Sequence, residues 1–152
     1  MPASDERQKR MDAFLALIRY AEHGKQDRPD ANNSLYGGGY FSDLSKHPRL
    51  DVSKWNHRSS ASGAYGIVKG LYDDAVKAHV VHDFSERFQD AIAQWRIANR
   101  VGAQWDIWDG KLDAAFMKLN QTWSSLPGGA GEELTSDEAK QYFWNRLGET
   151  AP

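Results

Sequence analysis

Phe14-Leu15-Ala16-Leu17-Ile18-Arg19-Tyr20-Ala21-Glu22-His23-Gly24 is the stretch on which the reading of the fold turns. Phe14, Leu17, Ile18 and Ala21 recur at helical spacing, which predicts a helix from about Asp5 to Ala21 with one buried face. Gly24 and the polar run from Lys25 to Asn33, with Pro29 inside it, end that helix. Ile18 and Glu22 are four apart, so Glu22 falls on the side of the buried stripe. A carboxylate there lies near the negative pole of the helix dipole and partly out of water, and both effects favour its protonated form. A carboxylic acid that stays protonated at neutral pH is what cleavage of a glycosidic bond needs, because the leaving oxygen must receive a proton. An exposed Glu closing an ordinary helix has the same spacing, so the rest of the chain has to decide.

Outward from this helix, Asn32 to Arg58 holds Gly37-Gly38-Gly39, Pro48 and several aromatics without a helical period. It reads as a small, irregular β-region of short strands and long loops. Helical pattern resumes near Ile67 and runs to about Val80. A longer helix follows, with Asp83 and Glu86 at capping-box spacing, an apolar stripe of Phe84, Phe88, Ile92 and Trp95, and Gly102 at its close. Leu112, Ala115, Phe116 and Leu119 mark another helix. Thr135 to Glu138 starts a last one, with Tyr142, Phe143 and Leu147 facing inward. The expected fold class is α+β over a single domain of residues 1–152: a mainly helical lobe, a small β-region, and a cleft between them.

Composition narrows the function classes. The chain has 152 residues, 40% hydrophobic and 26% charged, as in a globular protein with a sizeable core. Six Trp, six Tyr and six Phe supply aromatic faces suited to sugar rings as well as to the core. A formal net charge of −2 gives no basic footprint, so nucleic acid is not an expected partner. Basic residues gather only from Lys46 to Arg58. No cysteine is present, which excludes disulfides and cysteine-based zinc sites. His23, His47, His57, His79 and His82 show no metal-ligand spacing with acidic partners, so neither metal nor cofactor is expected. The opening Met1-Pro2-Ala3-Ser4-Asp5-Glu6-Arg7 has no apolar signal region, from which synthesis in the cytoplasm is expected.

Further stretches bear on chemistry. Ser59-Ser60-Ala61-Ser62-Gly63-Ala64-Tyr65-Gly66-Ile67 is a small-residue turn entering a helix, as a closely approaching ligand requires and as a plain connection also allows. Ala21-Glu22-His23-Gly24, then Gly38-Gly39-Tyr40-Phe41-Ser42-Asp43 with His47-Pro48-Arg49, then Gly63-Ala64-Tyr65-Gly66 follow in order. After them come Asp83-Phe84-Ser85 with Gln89-Asp90-Ala91, and Trp123-Ser124-Ser125-Leu126-Pro127-Gly128. This series resembles the lambda-type phage endolysins, peptidoglycan lytic transglycosylases with a lysozyme-like fold, over roughly residues 10 to 131. The turn departs from the family's Gly-Arg-Tyr-Gln at two places, Ala64 for Arg and Gly66 for Gln. Putting Gln back at 66 is expected to be tolerated provided Gly66 does not use a positive φ.

The resemblance implies that one carboxyl group, that of Glu22, suffices. It would protonate the glycosidic oxygen after N-acetylmuramic acid, then draw a proton from that sugar's 6-hydroxyl and leave a 1,6-anhydro end. Tyr36, His47, Arg49, Ser60, Gly63 and Tyr65 are the candidate substrate contacts. A hydrolase needs a second carboxylate, for which Asp27, Asp30 and Asp43 are available. A muramidase using Glu22 and Asp43 is therefore one alternative, although the one-carboxyl reading makes Asp43 a structural residue of its loop. A peptidoglycan-binding protein without catalysis is the other alternative. The implied setting is a monomer made in a host cytoplasm that reaches periplasmic peptidoglycan once a holin has permeabilised the membrane.

Overall fold

Helix α1 (Ser4–Glu22) opens with Asp5 and Glu6 in its first turn and carries Arg19 in its last, charges that match the two ends of a helix dipole. Every side chain from Ala13 to Ile18 is buried, not one face only. A helix apolar all the way round is an interior helix, and this middle part of α1 belongs to a helix that packs against the segments Ala103–Trp108 and Ser136–Arg146. It closes on Gly24 at φ +66, where Lys25 N–H bonds back to Tyr20 O at 2.8 Å and His23 N–H to Arg19 O at 3.1 Å. Glu22 is thus the last residue of a helix whose middle turns are buried.

The computed structural model describes residues 3–149. These form two compact units, one from the chain before Arg28 and after Trp95, the other Arg28–Trp95. The first unit joins α1 to three short helices. These are α4 (Ala103–Trp108), α5 (Leu112–Leu119) and α6 (Ser136–Arg146). Leu112, Ala115, Phe116 and Leu119 of α5 are all buried, and Phe116 lies 6.1 Å from Phe14. Helix α6 begins with a capping box, in which Thr135 Oγ1 accepts from Glu138 N–H and Glu138 Oε1 from Thr135 N–H. Phe143 and Trp144 are its buried aromatics, while Tyr142 stacks on Tyr20 at 4.1 Å and stays partly exposed. Helix α4 has no counterpart in the sequence reading. Gly102, expected to end a long helix, instead precedes α4 at φ +83.

The second unit begins with a 3-10 turn (Pro29–Asn33) and carries a two-stranded antiparallel sheet, β1 (Val52–Lys54) and β2 (His57–Ser59). Val52 pairs with Ser59, and Trp55 and Asn56 make the connection at φ +54 and +55, the geometry of a two-residue hairpin turn. Single bridges Ser34–Tyr40, Leu35–Ser62 and Ser62–Ile67 complete the irregular β-region expected there. Helix α2 (Lys69–Lys77) and most of α3 (Glu86–Ala98) follow; α3 passes into the first unit at Arg96.

Two expectations for α3 change. Glu86 is its first residue, so it cannot be the third position of a capping box; Asp83 Oδ1 instead accepts from Ser85 N–H at 2.9 Å and closes a turn ahead of the helix. The buried face is Gln89, Ile92, Ala93 and Ile97, with Phe84 buried before the helix and Phe88 and Trp95 partly exposed. Among the described residues no helix is long and apolar enough to cross a membrane.

Candidate active site

Glu22 is half-buried at the end of α1. Burial pushes its carboxyl above the ordinary glutamate value; a hydrogen bond from Ser125 and the positive charge of Arg96 act the other way without cancelling the rise. Ser125, itself buried, donates its hydroxyl to Glu22 Oε2. The loop that carries Ser125 is fixed by backbone bonds from Leu126 N–H to Trp123 O at 3.1 Å and from Glu133 N–H to Ser125 O at 2.9 Å. Arg96 lies over the ring of fully buried Trp123, its Cζ 5.4 Å from the centroid. Burial lowers the guanidinium below its usual value and the neighbouring Glu22 charge offsets part of that. The result is an acid whose neutral form is favoured by desolvation, beside two groups that favour its anion.

The other acids considered as partners are engaged elsewhere. Asp27 takes Arg19 in a two-pronged pair, with its Oδ1 2.8 Å from Arg19 Nε. Asp30 is exposed, 3.5 Å from Arg28 Nε. Asp43 is exposed, and its Oδ1 accepts from Ser45 N–H at 2.9 Å; its bonds to Ser45 hold it below the usual carboxylate range. That is the structural role in its own loop that the one-carboxyl reading gave it.

Of the six candidate substrate contacts, four are buried and build the second unit. His47 has no exposed surface. Its Nε2 bonds Ile67 O at 2.7 Å and its Nδ1 accepts from Arg49 N–H at 2.9 Å, between the rings of Tyr72 and Phe84. Burial holds its pKa below the ordinary histidine value, and both ring nitrogens are engaged inside the unit. Tyr65 is 1% exposed and gives its hydroxyl to Asp90 Oδ1. Ser60 Oγ accepts from Lys69 N–H at 3.0 Å, satisfying one of the open amides at the start of α2. Gly63, at φ +80, makes room for the side chain of Gln89. Gln89 Oε1 accepts from Ala64 N–H at 2.9 Å, and its Nε2 donates to Asn32 O and Phe84 O, both at 2.9 Å.

Tyr36 and Arg49 keep open surface. Arg49 is exposed and paired with Asp73 at 2.7 and 3.1 Å. Tyr36 bonds Lys54 O at 3.1 Å through its hydroxyl and meets Trp55 edge-on at 5.5 Å and His57 at 5.6 Å. Trp55, at the tip of the hairpin, is 71% exposed, with Lys54 Nζ 4.9 Å from its ring. Sequence reasoning missed Trp55, Ser125 and Arg96. The Ser125 signal lay within the Trp123–Gly128 stretch already singled out, and an aromatic at a two-residue turn was the signal for Trp55.

Residues 12–149 match the family model described as Endolysin. The endolysin of Escherichia phage lambda is 33% identical over 121 residues, covering 76% of each chain. That of Escherichia phage P2 is 31% identical over 152 residues, covering 90% of this chain and 91% of its own. Among solved structures, bacteriophage lambda lysozyme complexed with a chitohexasaccharide superimposes with a TM-score of 0.82 at 29% identity over the whole of both chains. A second structure of lysozyme from bacteriophage lambda gives 0.77 at 27% identity, covering 100% of this chain and 99% of its own. On this similarity, the chain belongs to the lambda-type phage endolysin family of peptidoglycan-cleaving enzymes and has a lysozyme-like α+β fold.

Proposed function

We propose that the chain is a peptidoglycan lytic transglycosylase that cleaves the β-1,4 bond between N-acetylmuramic acid and N-acetylglucosamine. The observation that carries this reading is the company of Glu22: among the described residues of its own unit, the groups acting on its charge are a hydroxyl and a guanidinium, with no second carboxylate beside them. A two-carboxylate hydrolase works through such a partner, whereas a lone acid needs its nucleophile from the substrate. Glu22 donates its proton to the leaving oxygen as the bond to the muramyl anomeric carbon breaks. The carboxylate so formed takes the proton of the muramyl 6-hydroxyl while that oxygen bonds the anomeric carbon. One proton has moved between two substrate oxygens, and no water is consumed.

Substrate class follows from kinship and from exposed aromatic surface. A β-linked glycan is what the chitohexasaccharide in the lambda lysozyme complex represents. Trp55, with Tyr36 edge-on behind it, offers such a glycan a ring face in this chain. Synthesis in the host cytoplasm as a monomer, with access to the wall through a holin, belongs to the same reading.

Mass analysis of muropeptides released from purified peptidoglycan tests it. The expected ends are 1,6-anhydro-N-acetylmuramic acid, each one water lighter than a hydrolysis product and resistant to borohydride. Reducible ends of full mass, together with loss of turnover in Asp43→Asn, would establish the muramidase instead. No release at all would favour the binding protein.

A further inference from the structure

Glu22 has two oxygens, and the structure treats them differently. The Ser125 hydroxyl is hydrogen-bonded to Oε2, as donor to it. With the hydroxyl as donor, Oε2 is the accepting oxygen, and Oε1 is the one left to carry a transferable proton. Ser125 is held to this task from outside Glu22's own helix. Its carbonyl accepts from Glu133 N–H, and Trp123, two residues before it, lies beneath the Arg96 guanidinium. Arg96 is the charged group that reaches Glu22 from α3; on α1 itself Arg19 is committed to Asp27.

We propose that Ser125 is a positioning residue that divides the work between the two oxygens of Glu22. Its hydroxyl holds Oε2, the transferable proton rides on Oε1, and Arg96 on Trp123 fixes the loop that makes this possible. The inference rests on the reading of Glu22 as the acid. In the first half of the reaction Oε1–H gives its proton to the glycosidic oxygen. In the second half Oε1 takes the proton of the muramyl hydroxyl as the ring closes, which returns the acid to its starting form. Ser125 donates throughout and neither gains nor loses a proton. Its bond strengthens when Glu22 becomes an anion, because hydrogen bonds to charged acceptors are the stronger kind. The positive charge of Arg96 favours the same anion, so both groups ease the change from acid to base.

Ser125→Ala, Ser125→Thr and Arg96→Met in the full chain test this on purified peptidoglycan, with kcat, KM and the pH dependence of kcat/KM measured for each. Ser125→Ala is expected to lose roughly tenfold to hundredfold in kcat with KM near the parental value. The alkaline limb of its profile should move to higher pH, since a bond that favoured the carboxylate is gone. Threonine keeps the hydroxyl and should restore both. Arg96→Met should move the limb in the same direction. A parental kcat and limb in Ser125→Ala, or a Thr variant no better than Ala, would overturn the proposal. If Ser125→Ala melts far below the parent, Arg96→Met decides, and an unmoved limb overturns the proposal. Glu22→Gln run in parallel separates the two ideas: inactive, it leaves the acid in place whatever Ser125 does; active, it removes the reading beneath both.

Discussion

A Cβ placed on Gly63 would lie 2.3 Å from Gln89 Oε1. The same oxygen accepts from Ala64 N–H, and the other end of the amide bonds the backbone of Asn32 and Phe84. One buried side chain therefore ties together three segments of the second unit, and Gly63 leaves room for it. Gly63→Ala should strain a backbone at φ +80 and displace that amide at once. The cost is about 3 kcal/mol or more, a melting temperature lower by roughly 6–12 °C. Thermal denaturation followed by circular dichroism measures it, and an unchanged midpoint would show that the amide has slack.

Glu22 carries opposite consequences for activity and stability. Glu22→Gln should lose about a hundredfold to ten-thousandfold or more in turnover, because an amide neither donates nor accepts the proton. Its carboxyl is raised in the folded state, so between the ordinary glutamate pKa and the raised one the folded chain binds more protons than the unfolded. Stability then falls as pH rises through that window. The Gln variant should melt higher than the parent at neutral pH and lose the advantage below the ordinary glutamate range. Melting curves across pH check both the sign and the window; a Gln variant that gains nothing at neutral pH would mean that Ser125 and Arg96 fully compensate the burial.

How far the sequence could be read depended on whether a residue's partner was near in the chain. Glu22 was legible because four-residue spacing placed it on a buried helix within one local stretch. Ser125 was not, because its contact with Glu22 spans 103 positions. Gln89 sits where an apolar stripe was being counted, so a polar side chain on the core face went unseen. His47, Ser60, Gly63 and Tyr65 stand out in the sequence, but their partners inside the unit lie further along the chain. A tight turn of small residues looks the same whether it wraps a ligand or the protein's own amide. Helix α4 is six residues long, too short for a period to emerge, and α1 is buried all round from Ala13 to Ile18, which a reading based on one face understates.

Gly66 stands at φ +60, so the condition on which a Gln there would be tolerated is not met. Gly66→Gln should cost about 1–2 kcal/mol, or roughly 2–8 °C in melting temperature, through the left-handed backbone alone. Gly66→Asn should lose less, since Asn enters that region more readily. Equal melting of the Gln variant and the parent would mean that the turn adopts another conformation once the side chain is present.

Trp55 is placed against the interests of the fold. Its backbone lies in the left-handed region, where a bulky residue is strained, and its ring is 71% exposed. Its contacts with Lys54 and Tyr36 are those of a surface pair, worth about 0.5–1 kcal/mol each. Glycine at the same position relieves about 1–2 kcal/mol of strain. Trp55→Gly should therefore melt within a few degrees of the parent while its KM for peptidoglycan rises and its kcat holds. A sugar ring stacked on the indole gains contact that a glycine cannot supply. Steady-state kinetics on purified peptidoglycan, with the melting curve as control, measure the two halves separately. An unchanged KM would remove Trp55 from the glycan surface and leave the hairpin turn without a functional account.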